Sequence, residues 1–218
     1  MNETFKKLAP EKQQRIIKAA LREFAGKGFQ HASTNEIVKH AGIGKGMLFY
    51  YFNSKKELYY FLVDYCLDSV KKDYIDQIDD SIKDVIQKLA HISYLKLKYF
   101  KEYPEISKFI STVFLKESET LPEELQKKLA RIVQEGMEKT YAMKRVDNDL
   151  FRDDIDPEKA AQLIRWTMLG YQQDFMEKYR GKGMDEIPLK KLWDDFDEYL
   201  EILKVCFYSQ EGKSDEHH

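Results

Sequence analysis

Cysteine is nearly absent: two residues in 218 cannot build a disulfide framework. Cys66 and Cys206 each stand among apolar residues of a helical pattern, so both are expected to be small buried hydrophobes in a reducing compartment. No apolar run approaches the roughly 20 residues that a bilayer-spanning helix needs, and no membrane partner is expected. The opening residues, Met1 to Lys7, lack an apolar stretch of secretory-signal length, and the expected location is cytoplasmic. Alternating apolar and polar runs of the strand type are also missing. Catalytic and cofactor signatures are equally scarce. Gly42, Gly44 and Gly46 glance at a phosphate cradle, but the third glycine of the dinucleotide spacing, the four-residue Walker gap and a preceding strand are all wanting. His31, His40 and His91 are not spaced with cysteines or carboxylates as a zinc set. Neither a nucleophile elbow nor H-E-x-x-H occurs. The expectation is a protein that is not an enzyme and carries no cofactor and no metal.

What is present is helical throughout. Hydrophobic residues make up 43% and aromatics 13%, enough for a packed core. Four of the five prolines mark helix starts: Pro10 for a helix to about Lys27, then Pro104, Pro122 with Glu123 and Glu124 behind it, and Pro157 between Asp156 and Glu158. A long helix runs from Lys55 to about Tyr74. Ile82, Val85, Ile86, Leu89 and Ser93 form the next stripe, and from Ile92 to Phe100 apolar groups spread further round the helix. The helix from Pro157 reaches Tyr179, where Gly181-Lys182-Gly183 stops it. The last helix, Leu189 to about Tyr208, carries Leu192, Phe196, Tyr199, Leu200, Leu203 and Phe207 on one stripe. The fold class is all-α, with about nine helices and no internal repeat. Residues 1–54 read as a head, 55–209 as a larger helical body and 210–218 as a polar tail.

Charge divides along the same line. Residues 1–60 hold 11 Lys and Arg against 5 Asp and Glu, a net of +6, while the remainder nets −8. A basic head on an acidic body suits a duplex-binding module joined to a domain that does not touch DNA.

The densest signal is Ser33 to Leu58, STNEIVKHAGIGKGMLFYYFNSKKEL. Ser33 and Glu36 make a capping box, in which the hydroxyl takes an orphan N–H and the carboxylate reaches back. Ile37 and Ala41 share a face, and Gly42 stands where a left-handed stop is needed. A second helix starts near Gly44, with Leu48 and Phe52 on its buried side and Lys45, Gly46, Phe49 and Tyr50 on the other. Two helices joined by a short glycine turn are a helix-turn-helix, whose second helix enters the major groove.

The run resembles the DNA-binding domain of the TetR family of bacterial transcriptional regulators, over about the first quarter of the chain. The resemblance rests on Ile37, Ala41, Gly42, Ile43, Gly46, Leu48, Tyr51, Phe52, Ser54, Lys55 and Leu58, with Ile16-Ile17, Ala20-Leu21, Phe24 and Gly28-Phe29 upstream. Three positions depart from the pattern: Gly44 replaces a capping Ser or Thr, Met47 a Thr, and Phe49 a Tyr. The resemblance implies a ligand-responsive regulator, most simply a repressor, that binds a palindromic double-stranded DNA operator as a homodimer. Lys45 and Tyr50, with Gly46 and Phe49 on the same face, then meet base edges or the groove wall. Thr34, Tyr51 and Lys55 hold phosphates, and Ser33 and Asn35 complete the DNA-binding set.

The same resemblance implies a dimer made by the two closing helices. Ala160, Ala161, Ile164, Met168 and Gly170, with Phe196, Leu200, Leu203 and Phe207, are the candidate interface. It implies a small-molecule effector as well, apolar or amphipathic, for which Tyr94, Phe109, Phe114, Trp166, Tyr171 and Phe175 are candidate walls. A helical small-molecule-binding or scaffolding protein that no longer reads sequence is the alternative, given Gly44, Met47 and Phe49.

Overall fold

The computed structural model describes residues 3–141, 147–179 and 187–209. Among them are ten α-helices: α1 Glu3–Lys6, α2 Pro10–His31, α3 Thr34–Ala41, α4 Lys45–Phe52, α5 Lys55–Asp73, α6 Val85–Glu102, α7 Pro104–Thr112, α8 Glu123–Tyr141, α9 Pro157–Lys178 and α10 Leu189–Phe207. The all-α reading holds, and the one helix beyond the nine expected is the short α1. Among the described residues the only extended pairing is an isolated antiparallel bridge between Phe151 and Tyr208, and no helix is long and apolar enough to cross a membrane. The Gly181-Lys182-Gly183 stop and the tail lie outside the described residues.

The chain forms two compact units, Met1–Asp76 with Tyr99–Gln134, and Gln77–Lys98 with Glu135–His218. In the first, Ile16, Ile17, Ala20, Leu21 and Phe24 of α2 are buried with Ile37 and Ala41 of α3, Leu48 and Phe52 of α4, and Leu58, Leu62, Val63, Cys66 and Leu67 of α5. Burial pushes the Cys66 thiol up from its ordinary value, so Cys66 is the inert core residue expected. Helix α7 lies along α2, with the Phe109 ring 6.4 Å from Phe24 and 5.5 Å from Tyr59. Helix α2 does not run straight to His31: Gly28 takes φ 68° and ψ 174°, which ends the helix proper at the residue expected, Lys27. After α7 the chain continues through a π-helical turn, Val113–Glu117.

The second unit has its own core of Val85, Ile86, Leu89, Phe151, Ala160, Ala161, Ile164, Met168, Phe196, Leu200, Leu203 and Tyr208. Asp156 caps α9 through Glu158 N–H at 2.9 Å, with Pro157 in its first turn as expected. The Tyr208 hydroxyl donates to Asp84 at 2.6 Å, which ties the end of α10 to the start of α6. Lys88 is buried, and its ammonium is paired with Asp80 at 3.1 Å.

This core corrects the interface residues expected on α9 and α10. Ala161, Ile164, Met168, Phe196, Leu200 and Leu203 are buried among themselves within one chain, and Phe207 packs against them. They complete the protein's own core. Gly170 is exposed. The apolar groups that do face out are one step round each helix: Leu163, Trp166 and Leu169 on α9, and Tyr199, Ile202 and Val205 on α10. Cys206 belongs to that outer side and is exposed, contrary to the buried place expected for it.

Ile164 is fully enclosed, so Ile164→Ala should cost about 3 kcal/mol through lost burial and the cavity left behind. A urea-unfolding midpoint that barely moves would show that this core is not packed as described.

Candidate nucleic-acid interface

The interface is assembled at three helix starts. At α3, Ser33 is extended (φ −105°, ψ 118°) and its hydroxyl accepts from Glu36 N–H at 3.5 Å. The reciprocal half of the expected capping box is absent. Ser33 N–H donates to Glu23 of α2 at 2.8 Å, while the Glu36 carboxylate faces Lys39 at 4.0 Å. Burial pushes the Glu23 carboxyl up, but its bonds to the Lys27 ammonium and the Ser33 amide outweigh that and hold it below its ordinary value. Thr34 is half-buried and Asn35 exposed.

Gly42 takes φ 64° and ψ 41°, and the N–H of Ile43 returns to Val38 O at 3.1 Å, closing the left-handed stop. The turn is braced from outside the motif, because Arg15 donates to Ala41 O at 3.4 Å. Helix α4 then starts from Gly44, with no side-chain cap. Leu48, Tyr51 and Phe52 are each 1% exposed, whereas Lys45, Gly46, Met47 and Tyr50 face solvent and Phe49 is half-buried. Phe49 is therefore only an edge of the outer face. Met47, 41% exposed, belongs to that face and was missed, because its lost hydroxyl drew the eye from its position on the helix.

Tyr51 needs a correction. Its ring packs 5.7 Å from Phe5 and 6.5 Å from Phe52, in the core under the recognition helix. Holding phosphate is not open to so buried a side chain; its part is to anchor α4. At α5, Ser54 caps Glu57 N–H at 3.1 Å and Lys55 occupies the first turn. The Lys55 ammonium donates to Gln30 O at 3.1 Å and lies 5.1 Å from the centre of the Phe29 ring. Two of its three hydrogens stay available for a phosphate beside the helix start.

A further groove of about 360 Å³ lies on α2 and α3, lined by Arg15, Lys18, Ala19, Arg22, Glu23 and His40. Its cations are partly engaged: Lys18 and Arg22 reach Glu105 at the start of α7, at 3.5 and 3.1 Å.

A helix-turn-helix with this turn and this outer face is built into the first unit, and residues 16–60 match the model of the bacterial regulatory proteins, tetR family. Over that stretch the chain is similar to the tetR family. Among curated relatives, it is similar to an uncharacterized HTH-type transcriptional regulator of Bacillus subtilis strain 168, YerO, at 35% identity over 80 residues, covering 37% of this chain and 25% of YerO. It is also similar to the HTH-type transcriptional regulator RutR of Escherichia coli K12, at 29% identity over 131 residues, 57% of this chain and 58% of RutR. The matched stretches thus span from a quarter to somewhat over half of these two relatives. The TetR fold extends beyond them: a TetR family regulator from Chloroflexus aurantiacus J-10-FL superposes with a TM-score of 0.59 at 18% identity, over 96% of this chain and 99% of that one.

The candidate effector walls do not share one surrounding. In the first unit Phe109 is core, packed on Phe24 and Tyr59, and Phe114 is exposed. In the second, Tyr94 and Trp166 are exposed, while Tyr171 packs on Phe196 and Tyr199, and Phe175 on Tyr179. Phe109 is withdrawn as a wall because it is buried against Phe24 and Tyr59, and Trp166 because it is exposed on α9.

Two outcomes check the site's construction. Gly42→Ala places a Cβ on a left-handed residue and should destabilise the protein by about 1 kcal/mol, read as a drop in melting temperature. Glu23 titrates lower folded than unfolded, so its contribution is full above the ordinary carboxylate range and is lost as pH falls through it. Glu23→Gln should shrink the difference in urea midpoint between about pH 7 and about pH 3; an unchanged difference would remove Glu23 from the cap.

Proposed function

We propose that the protein is a DNA-binding transcriptional regulator, a repressor, that reads a palindromic operator as a homodimer and is released by a small apolar or amphipathic effector. The observation that carries this is the outer face of α4: Lys45, Gly46, Met47 and Tyr50 are exposed while Leu48, Tyr51 and Phe52 hold the helix down. The family match over residues 16–60 and the HTH-type regulators among the relatives support it. Lys45 and Tyr50 meet base edges or the groove wall. Ser33, Thr34 and Asn35 at the α3 start and Lys55 at the α5 start hold phosphates. Residues 1–54 act as the head and 55–209 as the ligand-binding and dimerising part, in the cytoplasm.

The dimer uses the outer face of α9 and α10, Leu163, Trp166, Leu169, Tyr199, Ile202 and Val205, in place of the buried residues first expected. Reading a palindrome as a dimer asks for two α4 helices one duplex turn apart, roughly 34–36 Å. The effector binds the DNA-incompetent conformation more tightly, and a 100-fold loss of DNA affinity needs about 2.7 kcal/mol of coupling.

Selection from a random duplex library should enrich a palindrome whose affinity falls steeply with salt. Lys45→Ala should change preference at particular bases. Binding indifferent to sequence and salt would favour the scaffolding alternative. The double variant Ile202→Glu, Val205→Glu should sediment as a folded monomer, since both side chains lie outside the core; a persisting dimer would move the interface elsewhere.

A further inference from the structure

Gly28 leaves the α2 helix at φ 68°, and its break frees the Phe29 N–H from helical pairing. That donor needs a partner. It finds one from residue 117: the Glu117 carboxylate, at the end of the π-helical turn, accepts Phe29 N–H at 2.9 Å through Oε1. Its Oε2 accepts a short hydrogen bond from the Tyr59 hydroxyl of α5. A Cβ on residue 28 would stand 3.0 Å from Glu117 Oε1. Glycine there therefore serves both the backbone angle and the approach of the carboxylate.

What Glu117 grips is the turn on which phosphate contacts rest. Lys55 bonds the Gln30 carbonyl and lies over the Phe29 ring, so the residues that seat its ammonium are those whose backbone Glu117 pins. Three residues further on, the same turn delivers Ser33 and Thr34. Apolar packing of Phe24, Tyr59 and Phe109 sets how closely these elements approach, but it leaves rotation loose; a hydrogen bond to a backbone N–H fixes orientation. Glu105, twelve residues earlier, grips the same α2 helix through Lys18 and Arg22. Those cations are 58% and 66% exposed, so that pair is screened and contributes little.

We propose that Glu117 is the positioning residue of the DNA-binding head: it holds the Phe29–Gln30 turn so that Lys55 meets phosphate, an assignment that rests on the DNA-binding reading above. Glu117 itself touches no DNA.

The test uses the full chain and the palindromic duplex that the wild-type protein enriches from a random library. Glu117→Ala should weaken binding about tenfold and make the log–log salt slope less negative by about 0.9, one phosphate contact. Exchange of the Phe29 amide should quicken about tenfold. Glu117→Asp, which keeps the charge but withdraws it by one methylene, should do the same with less risk to folding. Glu117→Gln, whose amide oxygen still accepts Phe29 N–H, should restore both slope and exchange. Adding Lys55→Ala to Glu117→Asp should shift the slope no further. A wild-type slope in Glu117→Asp with a faster Phe29 amide would overturn the positioning role, and an unchanged amide would overturn the hydrogen bond itself. Failure of the wild-type protein to enrich any duplex would sink the DNA-binding reading, a result distinct from either.

Discussion

An eight-residue helix is not stable alone in water, and α4 exists because three of its eight side chains are driven into a core. Leu48, Tyr51 and Phe52 are each 1% exposed, and burial of such groups stabilises by about 1.5–3 kcal/mol apiece. Phe5 of the short α1 closes this nest, its ring 5.7 Å from Tyr51, 4.7 Å from Phe52 and 5.6 Å from Phe61 of α5. Everything on the outer face of α4 depends on that inner one. Gly44 supplies no side-chain cap and Gly46 disfavours the helix, so packing has to supply what local preference withholds. Met47 and Phe49 stand where the family pattern has Thr and Tyr, yet the geometry of the helix survives because it never rested on those hydroxyls.

Two carboxylates then orient what the apolar core holds. Glu23 takes the first free N–H of the α3 approach and Glu117 takes the N–H exposed at the α2 break. Both act on the short stretch 28–33, between the first helix and the helix-turn-helix, and both come from outside it. The head is thus a packed body with a pinned hinge region. A shift of the 113–117 turn reaches the head through a hydrogen bond of fixed direction as well as through side-chain packing.

What was legible in the sequence was what is settled within four or five residues. Pro10 and Pro157 at helix starts, Ser33 and Asp156 as caps, the left-handed Gly42 and the buried Leu48 and Phe52 all depend on near neighbours. The end of α2 at Lys27 was legible for the same reason. The partners of Ser33 N–H and Phe29 N–H were not, because Glu23 and Glu117 stand ten and 88 residues away and nothing in local pattern marks them. Tyr51 was misread because its role at the phosphates was carried over from the resemblance, whereas the helical period puts it beside Leu48 and Phe52. Glu36 was given a role in the capping box that a competing acceptor, Glu23, already filled.

The misassignment on α9 and α10 has a more instructive cause. A helix with one apolar stripe declares which side is buried, but these two carry two stripes each. On α10, Phe196, Leu200 and Leu203 form one, and Tyr199, Ile202 and Val205 another, advanced by about one residue round the helix. Periodicity alone cannot rank them. The structure does: the first set is sealed together with Val85, Ile86, Phe151 and Ile164, while Tyr199, Ile202 and Val205 stay exposed. Folding offers no reason to keep six large apolar side chains on one outer face, since exposed patches of that kind favour association. The small residues Ala160 and Ala161, which let helices approach closely, lie on the inner side only.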